Sequence, residues 1–160
     1  MSTIRAYVGL GSNLGDRDAH LARAIEALDA TGGCAVVRVS RIRETEPVGG
    51  PEQGPFLNAV AALETRLDAR TLLAALKGIE GDLGRTPGPR WGPREIDLDL
   101  LLHDDLVLRE PDLTIPHPRL AGRAFVLEPL AEIAPDVVHP VLGRTMRELW
   151  ESWPDASEDA

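Results

Sequence analysis

The chain is poor in cysteine and in aromatic residues, and it contains no long apolar run. Its one cysteine, Cys34, excludes a disulfide within the chain, and its position in an apolar run indicates a buried thiol. No run of about 18 apolar residues is present, and no basic segment precedes a short apolar one at the start. We therefore expect no membrane span and no secretory signal, and we expect a cytoplasmic, reduced protein.

Positive charge is also scarce. Lys and Arg number 17 against 26 Asp and Glu, which gives a formal net charge of −9 over 160 residues. This balance argues against a nucleic-acid-binding surface, although it leaves room for a local basic pocket. The length and a hydrophobic content of 43% fit one soluble globular domain that spans residues 1–160.

Apolar periodicity predicts an alternation of strands and helices. Asp16 and Asp68 are suited to cap two helices. A short further strand and two short helices should follow near the C-terminus. The main expected elements are strands at 4–10, 34–44, 56–65 and around 97–102, and helices over 17–31 and 69–83.

The order of these elements, β-α-β-β-α-β, is that of the ferredoxin-like fold. It predicts an α+β protein in which two helices cover one face of an antiparallel sheet. Two long loops rich in proline and glycine, 45–55 and 84–93, would then cover the other face.

The stretch REIDLDLLL, residues 94–102, has two aspartates inside an apolar strand. Alternation puts Asp97 and Asp99 on one face of the strand, with their Cα atoms about 6.6 Å apart. Two like charges this close are costly to bury, and no basic residue at i±2 compensates them, so a divalent cation would be needed. An edge strand with one solvated face is the alternative. The opposite, apolar face would hold Ile96, Leu98, Leu100 and Leu102.

The motif GLGSNLG, residues 9–15, superficially resembles a dinucleotide-binding fingerprint. Its glycine spacing is wrong for that fingerprint, and the second strand leads to another strand rather than to a helix. A tight turn from strand to helix, with a role in lining a pocket as a further option, is the better interpretation.

Arginines are concentrated in the loop directly before the aspartates, where Arg85, Arg90 and Arg94 accompany Trp91. Arginine is suited to phosphate oxygens and carboxylates are suited to Mg²⁺, so together they predict a nucleoside-triphosphate site. A solvated arginine cluster is the alternative for the loop. In the segment 115–127, a histidine between prolines and a phenylalanine on a helix are by default packed residues.

Four segments resemble one known family. They are GLGSNLGD, ETEPVGGPEQGPFLNAV, RWGPREIDLDLL and IPHPRLAGRAFVLEPLAEIAP. The chain is similar in them to the 6-hydroxymethyl-7,8-dihydropterin pyrophosphokinases of folate biosynthesis. The resemblance implies a ferredoxin-like fold and transfer of pyrophosphate from ATP to the hydroxymethyl group of the pterin, with release of AMP. It also implies small-molecule substrates, no nucleic-acid or membrane partner, and a monomer.

The same resemblance implies a role for particular residues. Asp97 and Asp99 would hold two Mg²⁺ ions. The other implied roles are catalysis and ATP binding for Arg85 and Arg94, ATP binding for His117 and Arg123, and pterin binding for Thr45, Val48, Phe56, Asn58, Trp91 and Phe125.

The chain departs from the family pattern at two places. Phe56 stands where many members have tyrosine, so a hydroxyl is missing although stacking is kept. The loop GRTPGPRW is one residue shorter than usual and lacks an arginine two places after Arg85. Two other kinds of protein remain as alternatives: a metal-dependent nucleotide phosphohydrolase, and a non-enzymatic ferredoxin-like module that binds a small ligand.

Overall fold

The structure is a computed structural model that describes residues 2–13, 16–45, 56–83 and 96–153. Its elements follow the predicted order, with additions near the C-terminus. They are β1 (Ile4–Ser12), α1 (Arg17–Ala30), β2 (Cys34–Val39), β3 (Arg43–Thr45), β4 (Phe56–Thr65), α2 (Ala69–Asp82), β5 (Asp97–His103), β6 (Leu108–Glu110), β7 (Leu113–Ile115), a 3₁₀ helix (Leu120–Gly122), α3 (Ala124–Ile133) and α4 (Met146–Glu151).

The main sheet is antiparallel, as the ferredoxin-like order predicted. Its strand order is β2-β4-β1-β5, so that β1 lies in the interior between β4 and β5. The predicted single strand at 34–44 is wrong, because it is divided into β2 and β3, which pair with successive parts of β4. Buried Ser40 separates them: its hydroxyl accepts the backbone N–H of Val60 at 2.9 Å, a group that a continuous ladder would have paired with backbone.

One face of the sheet packs against α1 and α2, and both helices begin as predicted. The carboxylates of Asp16 and Asp68 accept the backbone N–H of Ala19 and Thr71 at 3.1 and 2.8 Å. The core beneath the helices is built from alternate residues of the central strands and from the apolar stripes of both helices. It includes Ala6, Val8, Leu10, Leu21, Leu28, Leu63, Leu72, Leu76, Leu98 and Leu100.

The opposite face carries a second core, which the sequence analysis had left to the two long loops. That expectation is wrong for the half of the face where Tyr7, Val60 and Leu101 pack under α3 and α4. Helix α3 supplies Leu127 and Leu130, both fully buried. The loop segments 46–55 and 84–95 lie outside the described residues, so the rest of the expectation stays a prediction.

A β-bulge changes the facing of one predicted core residue. Tyr7 pairs with Leu102 and Val8 with Leu100, so Leu101 is the extra residue on β5. Leu102 therefore lies with Leu101 and Tyr7 on the α3 face, and its predicted position beside Leu98 and Leu100 is wrong. The bulge comes after the aspartates and leaves their alternation unchanged.

The region after β5 contains one strand more than predicted. The short strand expected after the turn is β6, and it forms a separate two-stranded hairpin with β7. Among the helices of the described residues, none is long and apolar enough to span a membrane.

Core packing on α2 can be tested with a pair of leucines. Leu72 is fully buried, whereas Leu142 is 43% exposed. We expect Leu72→Ala to lower the free energy of unfolding by about 2–5 kcal/mol, and Leu142→Ala to change it by less than about 0.5 kcal/mol. Urea unfolding followed by circular dichroism measures both values, and similar losses for the two variants would contradict the assigned core.

Candidate functional site

A cavity of about 220 Å³ opens on the α3 face of the sheet, where β1 ends and β5 begins. It receives side chains from β3, β4, β5 and the start of α3. The predicted site residues that line it are Thr45, Phe56, Asn58, Asp97, Asp99, Arg123 and Phe125. These residues come from four separate parts of the chain. The predicted site residues Val48, Arg85, Trp91 and Arg94 lie outside the described residues.

The two aspartates occupy the first half of β5 and face the cavity together. Asp97 pairs with Gly11 and Asp99 with Gly9 across the ladder to β1. Leu98, between them, points into the opposite core. The prediction that the two carboxylates share one face of the strand is therefore confirmed.

The floor of the cavity is bare backbone, because β1 has glycine at both cavity-facing positions. Gly11 lies between Asn58 on β4 and Asp97 on β5. A Cβ at Gly11 would come within 3.3 Å of Asn58 Oδ1, and a Cβ at Gly9 within 3.5 Å of Leu101. The interpretation of GLGSNLG as a turn is wrong for these two glycines, since β1 continues to Ser12. Their spacing of two residues was the signal in the sequence.

One wall of the cavity is formed by β3 and β4. The Asn58 amide donates a short hydrogen bond through Nδ2 to Thr45 Oγ1. Asn58 is buried, so this bond fixes the orientation of its amide. No other described residue bonds to the Asn58 carbonyl oxygen or to the second amide hydrogen, so both could pair with the edge of a ligand.

Two partly buried phenylalanines line the cavity from different elements. Phe56 begins β4, and Phe125 is the second residue of α3. The guanidinium carbon of Arg123 lies 5.4 Å from the centroid of the Phe125 ring. Phe125 also packs against the α3–α4 core, so it is both a core residue and a cavity residue.

His117 lies beside the aspartates rather than in the first cavity. Its backbone N–H donates to the Leu101 carbonyl at 2.9 Å, which attaches its loop to β5. Its ring Nδ1 accepts the backbone N–H of Arg119 at 3.1 Å. In a neutral ring the proton is therefore on Nε2, which can donate to an anionic oxygen.

Charges around His117 are mixed and close together. Burial lowers the pKa of His117, the Asp99 carboxylate opposes this, and the guanidinium groups of Arg123 and Arg119 add to it. Burial also lowers the pKa of Arg123, with a further contribution from Arg119. Arg119 lines the first cavity as well, and the sequence analysis did not identify it.

A second cavity, of about 230 Å³, adjoins the first. It lies between α2 and the β6–β7 hairpin, and Lys77, Thr114 and His117 contribute to its lining. Asp99 lines both cavities, so it marks the place where two ligands would meet.

A buried glutamate, also absent from the sequence analysis, supports β5 at this place. Glu80 Oε2 accepts the backbone N–H of Leu98 at 2.8 Å, and its Oε1 is 3.8 Å from Lys77 Nζ. The signal in the sequence was a charge at an apolar-stripe position, four residues after Leu76 on α2.

Paired carboxylates beside a cluster of basic side chains, in a cavity whose two phenylalanines suit a flat ring, are typical of enzymes that transfer phosphoryl groups. Comparisons with known proteins identify one family within this class of enzymes. Residues 7–135 match the family model described as 7,8-dihydro-6-hydroxymethylpterin-pyrophosphokinase, HPPK. The chain therefore belongs to the HPPK family, and as a member it is an ATP-dependent pyrophosphokinase.

Curated relatives agree with this assignment. The 2-amino-4-hydroxy-6-hydroxymethyldihydropteridine pyrophosphokinase of Methylorubrum extorquens is 49% identical over 144 residues, which cover 90% of each chain. The protein of the same name from Bacillus subtilis is 46% identical over 132 residues, covering 82% of this chain and 79% of the relative.

Solved structures agree on the fold. Wild-type HPPK-DHPS of Plasmodium falciparum matches 99% of the chain with a TM-score of 0.77 at 15% identity. The chain spans 46% of that longer protein. At this identity the likeness concerns the fold alone, and it confirms the predicted ferredoxin-like arrangement.

The pKa of His117 tests the arrangement of charges. We expect Asp99→Asn to lower this pKa further, because it removes the carboxylate that raises it, and Arg119→Ala to raise it. Nuclear magnetic resonance of the ring protons against pH, in metal-free protein without nucleotide, measures both changes. His139 is an internal control, because burial lowers its pKa without a contribution from either residue. A His117 pKa that is the same in all three proteins would contradict the geometry.

Proposed function

We propose that Asp97 and Asp99 are the place where this member of the HPPK family carries out its reaction, the transfer of pyrophosphate from ATP to the hydroxymethyl group of 6-hydroxymethyl-7,8-dihydropterin. The observation that carries this proposal is the position of Asp99 at the junction of the two cavities. One cavity offers rings and an amide to a flat heterocycle. The other lies beside the basic groups that suit a triphosphate, and the reacting atoms would meet between them.

Mg²⁺ fits the residues of this junction. Within the described residues, no group of three or more His, Cys, Asp or Glu side chains is arranged to hold a metal ion. Mg²⁺ rarely needs such a cage, since it is usually held by one or two carboxylates, water and substrate phosphates. We therefore propose Asp97 and Asp99 as the protein ligands of two Mg²⁺ ions. When bound, these ions would neutralise phosphate charge and lower the pKa of the substrate hydroxyl.

The pterin would occupy the first cavity, on the bare backbone of Gly9 and Gly11. Its ring would stack on the phenylalanines, and its polar edge would pair with the Asn58 amide, whose orientation Thr45 fixes. The roles of Val48 and Trp91 in this pocket remain predictions from the family resemblance.

ATP would bind in the second cavity with its phosphates directed toward Asp99. The His117 Nε2–H and the Arg123 guanidinium would donate hydrogen bonds to phosphate oxygens. Arg85 and Arg94 are predicted to add positive charge from the loop before β5. In the reaction, the substrate hydroxyl loses its proton to water, and its oxygen forms a bond to the β-phosphorus. The bond from that phosphorus to the α,β-bridging oxygen breaks, and AMP leaves with that oxygen.

The residues would contribute chiefly by positioning and by excluding water. Asp97 and Asp99 are held on a rigid strand that is paired with β1 and supported by Glu80. His117 and Arg123 would stabilise charge on the transferring phosphates. We also propose that residues 1–160 act as one domain and as a monomer in the cytoplasm.

A product assay tests this function. We expect AMP and the pterin pyrophosphate in equal amounts when ATP, Mg²⁺ and the hydroxymethyl dihydropterin are all present, and no AMP when any one is omitted. We expect Asp97→Asn and Asp99→Asn each to reduce turnover by roughly 100-fold or more. Asp105→Asn, in the exposed turn after β5, is the matched control and should retain activity.

Either aspartate variant with near-normal turnover would contradict the assigned metal site. Phosphate release from ATP without the pterin would indicate the phosphohydrolase. Binding without Mg²⁺-dependent turnover would indicate the non-enzymatic module.

The pocket for the pterin can be tested at Phe125. Phe125→Ala should weaken binding of 6-hydroxymethylpterin by about 1–3 kcal/mol, because a stacking face is lost, and should leave an ATP analogue nearly unaffected. Phe125→Tyr keeps the ring and is the control. Calorimetry with each ligand measures the effects. Equal losses for both ligands, together with a lower melting temperature, would mean that Phe125 acts only as a core residue.

A further inference from the structure

Arg43 links strand β3 to helix α3. Its Nη2 lies 2.8 Å from Glu132 Oε1, and its Nε lies 3.4 Å from Glu128 Oε1. The two glutamates are one helical turn apart, so the Arg43 guanidinium contacts two successive turns of α3. The Arg43 side chain is only 16% exposed, which reduces the screening of these ion pairs by solvent.

The chain around Arg43 is held by the same network. The backbone N–H of Arg41 donates to the Glu132 carboxylate at 3.1 Å, and Arg43 Nη1 donates to the Arg41 carbonyl at 3.2 Å. Strand β3 has three residues, and within the described residues it pairs with β4. The polar contacts that join this part of the described chain to α3 are those of Arg41 and Arg43.

These two elements carry opposite walls of the first cavity. Thr45 is two residues after Arg43, on the same face of β3, and it holds the Asn58 amide. Phe125 is one turn before Glu128 on α3. The ion pairs of Arg43 therefore connect the wall that carries the Asn58 amide with the wall that carries the Phe125 ring.

We propose that Arg43 is a positioning residue for the heterocycle pocket. It sets the separation between Thr45 and Phe125, and it thereby determines the affinity for the pterin without touching it. This inference rests on the pterin pocket proposed above. A positioning role differs from a purely structural one because loss of Arg43 should weaken the binding of the pterin and not the binding of ATP.

The test uses Arg43→Met, which keeps much of the apolar stem and removes the charge and all the donors. Pterin affinity is measured by calorimetry with 6-hydroxymethylpterin at saturating Mg²⁺ and α,β-methylene ATP, and the affinity for the ATP analogue is measured separately. We expect about tenfold weaker pterin binding, the size of one lost hydrogen bond to a charged group, and less than about twofold change for the ATP analogue. The KM for the pterin should rise similarly while kcat changes little.

Two variants serve as controls. Arg5→Met removes a more exposed ion pair, to Glu64 at 3.2 Å, between β1 and β4 and away from the cavity, and it should change neither affinity. Arg43→Lys keeps the charge and should restore part of the pterin affinity. If Arg43→Met does not fold, the double variant Glu128→Met/Glu132→Met removes the acceptors of the same contacts from the helix side and should show the same selective loss.

Unchanged pterin affinity with a lower melting temperature would overturn the proposal, and so would equal losses for both ligands. A wrong assignment of the pterin pocket can be distinguished from a wrong role of Arg43. In that case Phe125→Ala would leave pterin binding unchanged, whatever Arg43→Met does.

Discussion

The site depends on one constraint, which is that the interior strand β1 has no side chains on its cavity face at Gly9 and Gly11. The ladders place Gly11 between Asn58 on β4 and Asp97 on β5, and Gly9 between Val60 and Asp99. A Cβ at Gly11 would lie 3.3 Å from Asn58 Oδ1, so glycine at this position leaves room for the Asn58 amide and the carboxylates to line one cavity. The carboxylates and the amide then face each other over the width of one strand.

The cavity has basic side chains beside it, although the molecule as a whole is negatively charged. The chain has a net charge of −9, yet His117, Arg119 and Arg123 gather beside Asp99. Burial disfavours the charged forms of His117 and Arg123, and the positive charge of Arg119 adds to this effect on both. In the function proposed above, a polyanion would relieve the repulsion among these positive charges, and a cation would neutralise the charge of the aspartates.

Local patterns were sufficient for much of the fold. The caps at Asp16 and Asp68 and the extent of β4 agree with the structure because they depend on neighbours in sequence. The prediction at 34–44 failed because the hydroxyl of Ser40 takes a hydrogen bond from β4, a partner far along the chain. The prediction of the face on which Leu102 lies was wrong for a similar reason, because a bulge depends on the register with β1.

The sequence by itself determined the element order, the shared face of Asp97 and Asp99, and the family through its motifs. Each of these depends on the identity of residues and their spacing alone. Only the tertiary structure decided that Arg119 reaches the cavity, that Glu80 supports β5, and that Arg43 joins β3 to α3. These roles depend on which distant elements pack together, and no local periodicity encodes the distance between a side chain and a partner 18 or 89 residues away.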